Sequence, residues 1–158
     1  MASVYQEIQL DVPAAAAWDV IRDLGNVHVR LVPGYAAKVL LDGDLRILTM
    51  ANGNTVREII LDVNDTVYRM AYRVVDTVMP LDFHHASFQV FPVDDLACKL
   101  VWITDFLPNH LEPEVRARVM RGAQVMKITI ERGFEALNTK SAPGSSQGRS
   151  AALRRSLP

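Results

Sequence analysis

The apolar positions of this chain change their period twice along its length. Residues 3–11, SVYQEIQLD, alternate closely enough for a strand, and PAAAAWDVIRDL then sets Trp18, Ile21 and Leu24 at helical spacing. Pro13 suits the first turn of that helix and the alanines favour its continuation. A second short helix is expected in NVHVRLV, stopped by Pro33-Gly34. The period then falls to two, and strands are predicted over 35–42, 44–51, 54–63, 66–76, 83–92 and 96–106. Their connectors, Asp42-Gly43, Asn52-Gly53, Asn64-Asp65, Met79-Pro80 and Asp94-Asp95, are turn chemistry. From about 111 to 138 the period is helical again. Val115, Val119, Ala123, Met126, Ile130, Phe134 and Leu137 form one apolar stripe, with charged residues over much of the rest.

Strand, two short helices, a six-stranded antiparallel meander and a long closing helix make an α+β chain. A curved antiparallel sheet must cover its concave face, and only the last helix is long enough to do so. One helix across a strongly curved seven-stranded sheet leaves room beneath it, so a cavity is expected there rather than a solid core.

Composition narrows the class. The 158 residues suit one domain with a real core, and 49% hydrophobic with 22% charged content is ordinary for a globular protein. No apolar run approaches a membrane span, and MASVYQEIQLD lacks a basic region followed by an apolar one, so a cytoplasmic location is expected. Residues 140–158 carry Lys140, Arg149, Arg154 and Arg155 and no acid, which leaves the rest with 13 basic and 18 acidic residues. A domain at −5 is a poor wrapper of nucleic acid. The division expected is one ligand-binding domain over 1–139 and a disordered basic tail over 140–158. Homodimerisation is left open. Cys98 is the sole cysteine, which excludes an internal disulfide, and its strand context favours a packed thiol over a nucleophile.

The stretch LRILTMANGNTVREIIL reads as a hairpin, yet Arg46, Arg57 and Glu58 interrupt its apolar runs. Two registers are open. A two-residue turn at Asn52-Gly53 sets Glu58 opposite Ile47 and sends Arg46 and Glu58 to opposite faces. A three-residue loop over 52–54 sets Glu58 opposite Leu48 and puts Arg46 on its face, one diagonal step away.

The element order resembles the SRPBCC superfamily, the START-related helix-grip proteins that include birch-pollen-allergen relatives, plant abscisic-acid receptors and bacterial polyketide aromatase/cyclases. VPAAAAWDVIRDL, GDLRILTMANGNTVREIILDVNDTVYRMAYRV, the MP break and LVWITDFLP carry the likeness, which covers residues 3–138. It implies a helix-grip fold, with the curved sheet wrapped around the C-terminal helix. It also implies that Glu58 faces the cavity between Val56 and Ile60, that Tyr72 and Val74 follow it inward, and that Arg46 lies there too, which favours the bulged register. The resemblance does not reach the gate: those receptors have Ser-Gly-Leu-Pro where this chain has Ala51-Asn52-Gly53-Asn54, which argues against a hormone-gated phosphatase inhibitor.

Four polar residues are candidates for chemistry. Glu58 is a base or, paired with Arg46, a structural anion; burial would raise its pKa and Arg46 would lower it. Tyr72 can donate to a carbonyl. His84 and His85 are adjacent on a strand and so face opposite ways, with His84 inward beside Phe88 and Val90. His28 and His110 lie far along the chain, and no metal-ligand spacing exists. The wall of the cavity is assigned to Leu48, Met50, Val56, Ile60 and Val74, to Phe88 and Trp102, and to Val119, Ala123, Met126 and Ile130 of the helix. Met70 and Met120 suit such a wall as well. No P-loop, G-x-G-x-x-G, G-x-S-x-G or H-E-x-x-H is present.

Two functions fit. One is a cofactor-independent enzyme resembling the polyketide cyclase/aromatase branch, a lyase-type cyclase or dehydratase acting on a polyketide-like or aromatic substrate. Arg46 would hold an enolate or carboxylate, Tyr72 would donate to a carbonyl, and Glu58 or His84 would move the proton. The other is a carrier or sensor of a lipid or aromatic metabolite, in which the same groups only orient a small hydrophobic ligand.

Overall fold

The computed structural model describes residues 1–141. Seven strands form one antiparallel sheet: β1 (Ala2–Leu10), β2 (Ala36–Asp42), β3 (Leu45–Met50), β4 (Thr55–Asn64), β5 (Arg69–Asp76), β6 (Phe83–Pro92) and β7 (Cys98–Leu107). Their order across the sheet is β1-β7-β6-β5-β4-β3-β2. The meander therefore runs from β2 to β7, and the first strand closes onto the last. Between β1 and β2 lie α1 (Ala14–Ile21) and α2 (Val27–Arg30); α3 (Glu112–Ser141) ends the described chain. This is the expected helix-grip arrangement. The tail expectation falls on residues outside those described, apart from Lys140 and Ser141, which close α3.

Pro13 stands at the N-cap of α1, one place before the first helical turn. Trp18 anchors that helix: it is 3% exposed, stacks on Tyr68 at 5.7 Å and donates its indole N–H to Asp65 at 2.9 Å. Ile21 is buried beside it, and Leu24, past the helix end, is partly buried on the same cluster.

Helix α3 buries Val115, Val119, Ala123, Met126 and Ile130, with Phe134 partly covered. The apolar stripe stops there, because Leu137 is exposed. Met120 is exposed too, on the outer side of the helix. Two packed clusters hold the helix down. One gathers Trp18, Ile21, Phe88, Leu100, Met126 and Ile130 among others, and the second joins Val4, Phe106, Leu111, Val115 and Val119. Trp102 packs against both. Among the described residues no helix is long and apolar enough to cross a membrane.

Neither anticipated register of the β3–β4 hairpin is the observed one. Arg46 pairs directly with Glu58, Leu48 with Val56 and Thr49 with Thr55. The loop does have three residues, but they are 51–53, one place earlier than 52–54. Met50 C=O accepts from Gly53 N–H at 2.9 Å, and Met50 N–H donates to Asn54 C=O at 2.7 Å. Gly53 has φ of 86° whereas Asn52 does not have positive φ. A two-residue type I′ turn needs positive φ at both central residues; a three-residue loop needs it only at the third. The glycine's position inside the loop decides the register, and Arg46 and Glu58 share a face.

Candidate active site

The concave side of the sheet and the N-terminal half of α3 enclose a cavity of about 190 Å³. An engineered apolar cavity of about 150 Å³ accepts benzene, so this one has room for one or two fused rings. Strand alternation brings the inward rows together. Arg46, Leu48 and Met50 come from β3, Val56 and Glu58 from β4, and Tyr72 and Val74 from β5. His84 and Phe88 of β6 and Trp102 of β7 continue the wall, and Val119 and Met126 of α3 roof it.

Three of the expected wall residues lie elsewhere. Ile60 is partly buried against the larger packed cluster, and Ala123 and Ile130 are within it. The cavity lies against the first half of α3, while α3 also packs on α1 and β1. Met70 is likewise core, at 1% exposure. Sequence reasoning missed Tyr35, Thr77, Thr104, Gly122 and Arg118, which also line the space. Thr77 sits outside regular elements, where no periodicity points to it, and Tyr35, the first residue of the strand expected over 35–42, stands one place before β2. Thr104 was legible, because it is in phase with Trp102 on an unbroken strand.

The polar centre is the pair across the hairpin. Arg46 Nε donates to Glu58 Oε2 at 2.8 Å, and their side chains are only 5% and 9% exposed. The guanidinium carbon lies 5.6 Å from the centre of the Tyr72 ring. Glu58 occupies the Nε edge, and the two terminal nitrogens have no acceptor among the described residues. Burial raises the Glu58 pKa above the usual carboxylate value, more than the neighbouring guanidinium pulls it down. Burial and the Glu58 charge raise the pKa of Tyr72, so its phenol keeps its proton and can only donate or accept as O–H.

His84 is tied differently. Its Nδ1 accepts from the Val74 backbone N–H at 3.1 Å, so the neutral ring carries its proton on Nε2. Burial lowers its pKa to about 4, with the neighbouring His85 adding to the effect. At neutral pH it is an uncharged donor whose lone pair is already used, which weighs against a role as base. His85 faces the other way, 3.9 Å from Asp105. Cys98 is buried and its thiol is pushed up to about 11, so it stays protonated. Among the described residues no three His, Cys, Asp or Glu side chains gather to hold a metal.

The mouth is charged. Arg118 lines both the cavity and an outer groove that adds Gly34, Asn52, Asn54, Val78 and Arg121. Its guanidinium is held 2.7 Å from Glu114 one turn earlier.

Comparison with known folds now has a geometry to meet. XoxI from Bacillus cereus superposes with a TM-score of 0.73 at 18% identity, covering 87% of this chain and 99% of that one. The Zhui aromatase/cyclase from Streptomyces sp. R1128 gives 0.71 at 19%, covering 90% and 98%. Norcoclaurine synthase from Thalictrum flavum, in complex with dopamine and hydroxybenzaldehyde, gives 0.68 at 15%, covering 90% and 89%. At these identities the likeness is one of fold. Comparison with curated proteins gives no match. The family model described as "Polyketide cyclase / dehydrase and lipid transport" matches residues 1–142, which include every described residue, and the chain belongs to that family.

Proposed function

We propose that this chain binds a small aromatic or polyketide-like molecule in the cavity and catalyses its cofactor-independent aldol-type cyclisation or dehydration. The observation that carries this reading is the half-used guanidinium of Arg46: Glu58 fixes one edge at 2.8 Å while the rest has no acceptor among the described residues. A rigid cation facing an apolar cavity suits an oxygen on which negative charge develops.

The roles follow from protonation. Glu58 is the group able to take a proton from carbon, and its raised pKa makes its carboxylate a stronger base than an exposed one. Removing a proton beside a carbonyl leaves an enolate whose oxygen lies against Arg46. The enolate carbon attacks a second carbonyl held within the same cavity, one C–C bond forms, and the new alkoxide takes a proton. Tyr72 O–H and His84 Nε2–H are the donors placed to steady that second oxygen, and the proton held by Glu58 balances the step. Loss of water from the aldol product would need the same base to remove a further α-proton and deliver it to the departing hydroxyl, which leaves as water while the C=C bond forms.

The test starts with what copurifies. Mass spectrometry of the extracted ligand, followed by incubation of that ligand with the protein, separates turnover from retention. Loss of water or a ring-closed product with wild type, absent with Glu58→Gln, supports the enzyme. Unchanged mass with tight retention would make the chain a carrier of the same molecule.

A further inference from the structure

Two polar groups in the cavity have nothing to bind. The indole N–H of Trp102 and the hydroxyl of Thr104 are sealed from solvent and lack a hydrogen-bond partner among the described residues. Buried donors are nearly always paired, so two such groups on one strand require a cause. They stand two residues apart on β7, hence on one face, and both line the cavity.

The Trp102 indole N–H lies towards the Tyr72 hydroxyl without a well-formed hydrogen bond to it, while Thr104 stands further from the Arg46 centre. Across the ladder Thr104 pairs with Ala86, and Ala86 pairs with Tyr72. With strands about 4.8 Å apart, the backbones of Tyr72 and Thr104 are roughly 10 Å from each other. Ala86 puts only a methyl group into that interval. The Trp102 ring lies 4.9 Å from that of Phe88 on one side. On the other side is Gly122 of α3, where an added Cβ would come within 3.0 Å of the indole. A backbone pressed onto the ring leaves the N–H little freedom to turn elsewhere.

We propose that Trp102 and Thr104 form a second polar subsite, which receives a carbonyl oxygen of the ligand whose acidic or enolic end lies at Arg46. This rests on the reading of the cavity given above. An indole donates and cannot accept, and a threonine hydroxyl can turn to donate, so together they match the two lone pairs of a carbonyl. The ligand class is accordingly an arene or fused bicycle with oxygen functions at both ends. The Arg46 pole takes the charged or enolic one, and the Trp102–Thr104 pole takes the neutral ketone.

Two probes of nearly equal shape test this: 6-acetyl-2-naphthoate and 6-isopropenyl-2-naphthoate, which differ in C=O against C=CH2. By calorimetry the acetyl probe should bind wild type about five- to tenfold more tightly, the worth of one or two neutral hydrogen bonds. In Thr104→Val and in Trp102→Phe that ratio should fall to about one or two; the first is isosteric and carries the test alone should the second not fold. A separate reading comes from the indole N–H resonances. The chain has two tryptophans, and that of Trp18 is already bonded to Asp65. The Trp102 signal alone should move downfield with the acetyl probe and stay put with the isopropenyl one. Equal affinities with an unmoved resonance overturn the second subsite and leave the Arg46 cavity standing. Failure of both probes to bind wild type overturns the underlying reading and this one with it.

Discussion

Arg46 and Glu58 face each other directly across the β3–β4 ladder, with Nε 2.8 Å from Oε2 and both side chains nearly buried. Removing one member of a buried pair strands the other's charge, at a cost of about 3–5 kcal/mol. Arg46→Met should therefore destabilise more than Arg46→Met combined with Glu58→Gln, which leaves no buried charge. Urea unfolding of the four proteins should give a coupling energy of about 1–3 kcal/mol. A value near zero would mean that water in the cavity already screens the pair.

The same pair has a pH signature. The folded pKa of Glu58 lies above its ordinary value of 4.5, so its burial weighs against folding above that pH and not below it. Arg46 is what pulls this pKa down, and in Arg46→Met it must rise further. The stability gap between wild type and Arg46→Met should thus widen once the pH passes the raised folded pKa of wild-type Glu58. A gap that stays constant with pH would show the carboxyl to be solvated in both proteins.

His84 predicts the opposite slope. Its folded pKa of about 4 lies below the ordinary 6.5, so the folded state binds fewer protons than the unfolded chain between those values. The associated stability is fully present above 6.5 and is lost as pH falls towards 4, by at most about 3 kcal/mol. In His84→Gln, which keeps an acceptor for the Val74 N–H, thermal unfolding should lose that part of its acid sensitivity. An unchanged slope would assign the effect to other groups.

Two glycines of α3 should respond in opposite directions. Gly133 has open space around it, and Gly133→Ala should stabilise by about 0.5–1 kcal/mol through helix propensity alone. Gly122→Ala must push its methyl against the Trp102 ring at 3.0 Å. Overpacking costs about 1–3 kcal/mol, which offsets or exceeds the same gain. Trp102 fluorescence should shift in Gly122→Ala and not in Gly133→Ala.

Met126 roofs the cavity from α3. Met126→Trp should fill the space and abolish binding of a naphthoate, with stability falling by less than about 3 kcal/mol. Full unfolding instead would show that the cavity has no slack to take the ring.

The elements of this fold were legible because their periods differ sharply: alternation for seven strands, steps of three and four for α3. The inward identities of His84 and Phe88 follow from the same parity, and that of Tyr72 from the family resemblance. The hairpin register did not, since Asn52-Gly53 serves either as a two-residue turn or as the last two places of a three-residue loop, and only the backbone angles at Asn52 distinguish them. Leu137 continues the helical period but exposes its side chain, because amphipathicity says which side faces in and not where the sheet beneath the helix ends. Arg118 reads as one more charge on a wet face, yet the mouth of the cavity opens where it stands. Ile60 shares the phase of Glu58 but lies two residues further along β4, beyond the open part of the groove.

The loop over residues 51–53 bears on all of this through its length. Side chains alternate along a strand, so a hairpin loop lengthened or shortened by one residue inverts the face of everything beyond it in the ladder. One residue deleted there would carry either Arg46 or Glu58 to the convex side without altering a single side chain of the site. An even change in length could preserve both. The protein's central ion pair is in that sense written in arithmetic as well as in chemistry: its partners meet because the loop between them has an odd count, and insertions and deletions in that loop should be tolerated or ruinous by parity rather than by size.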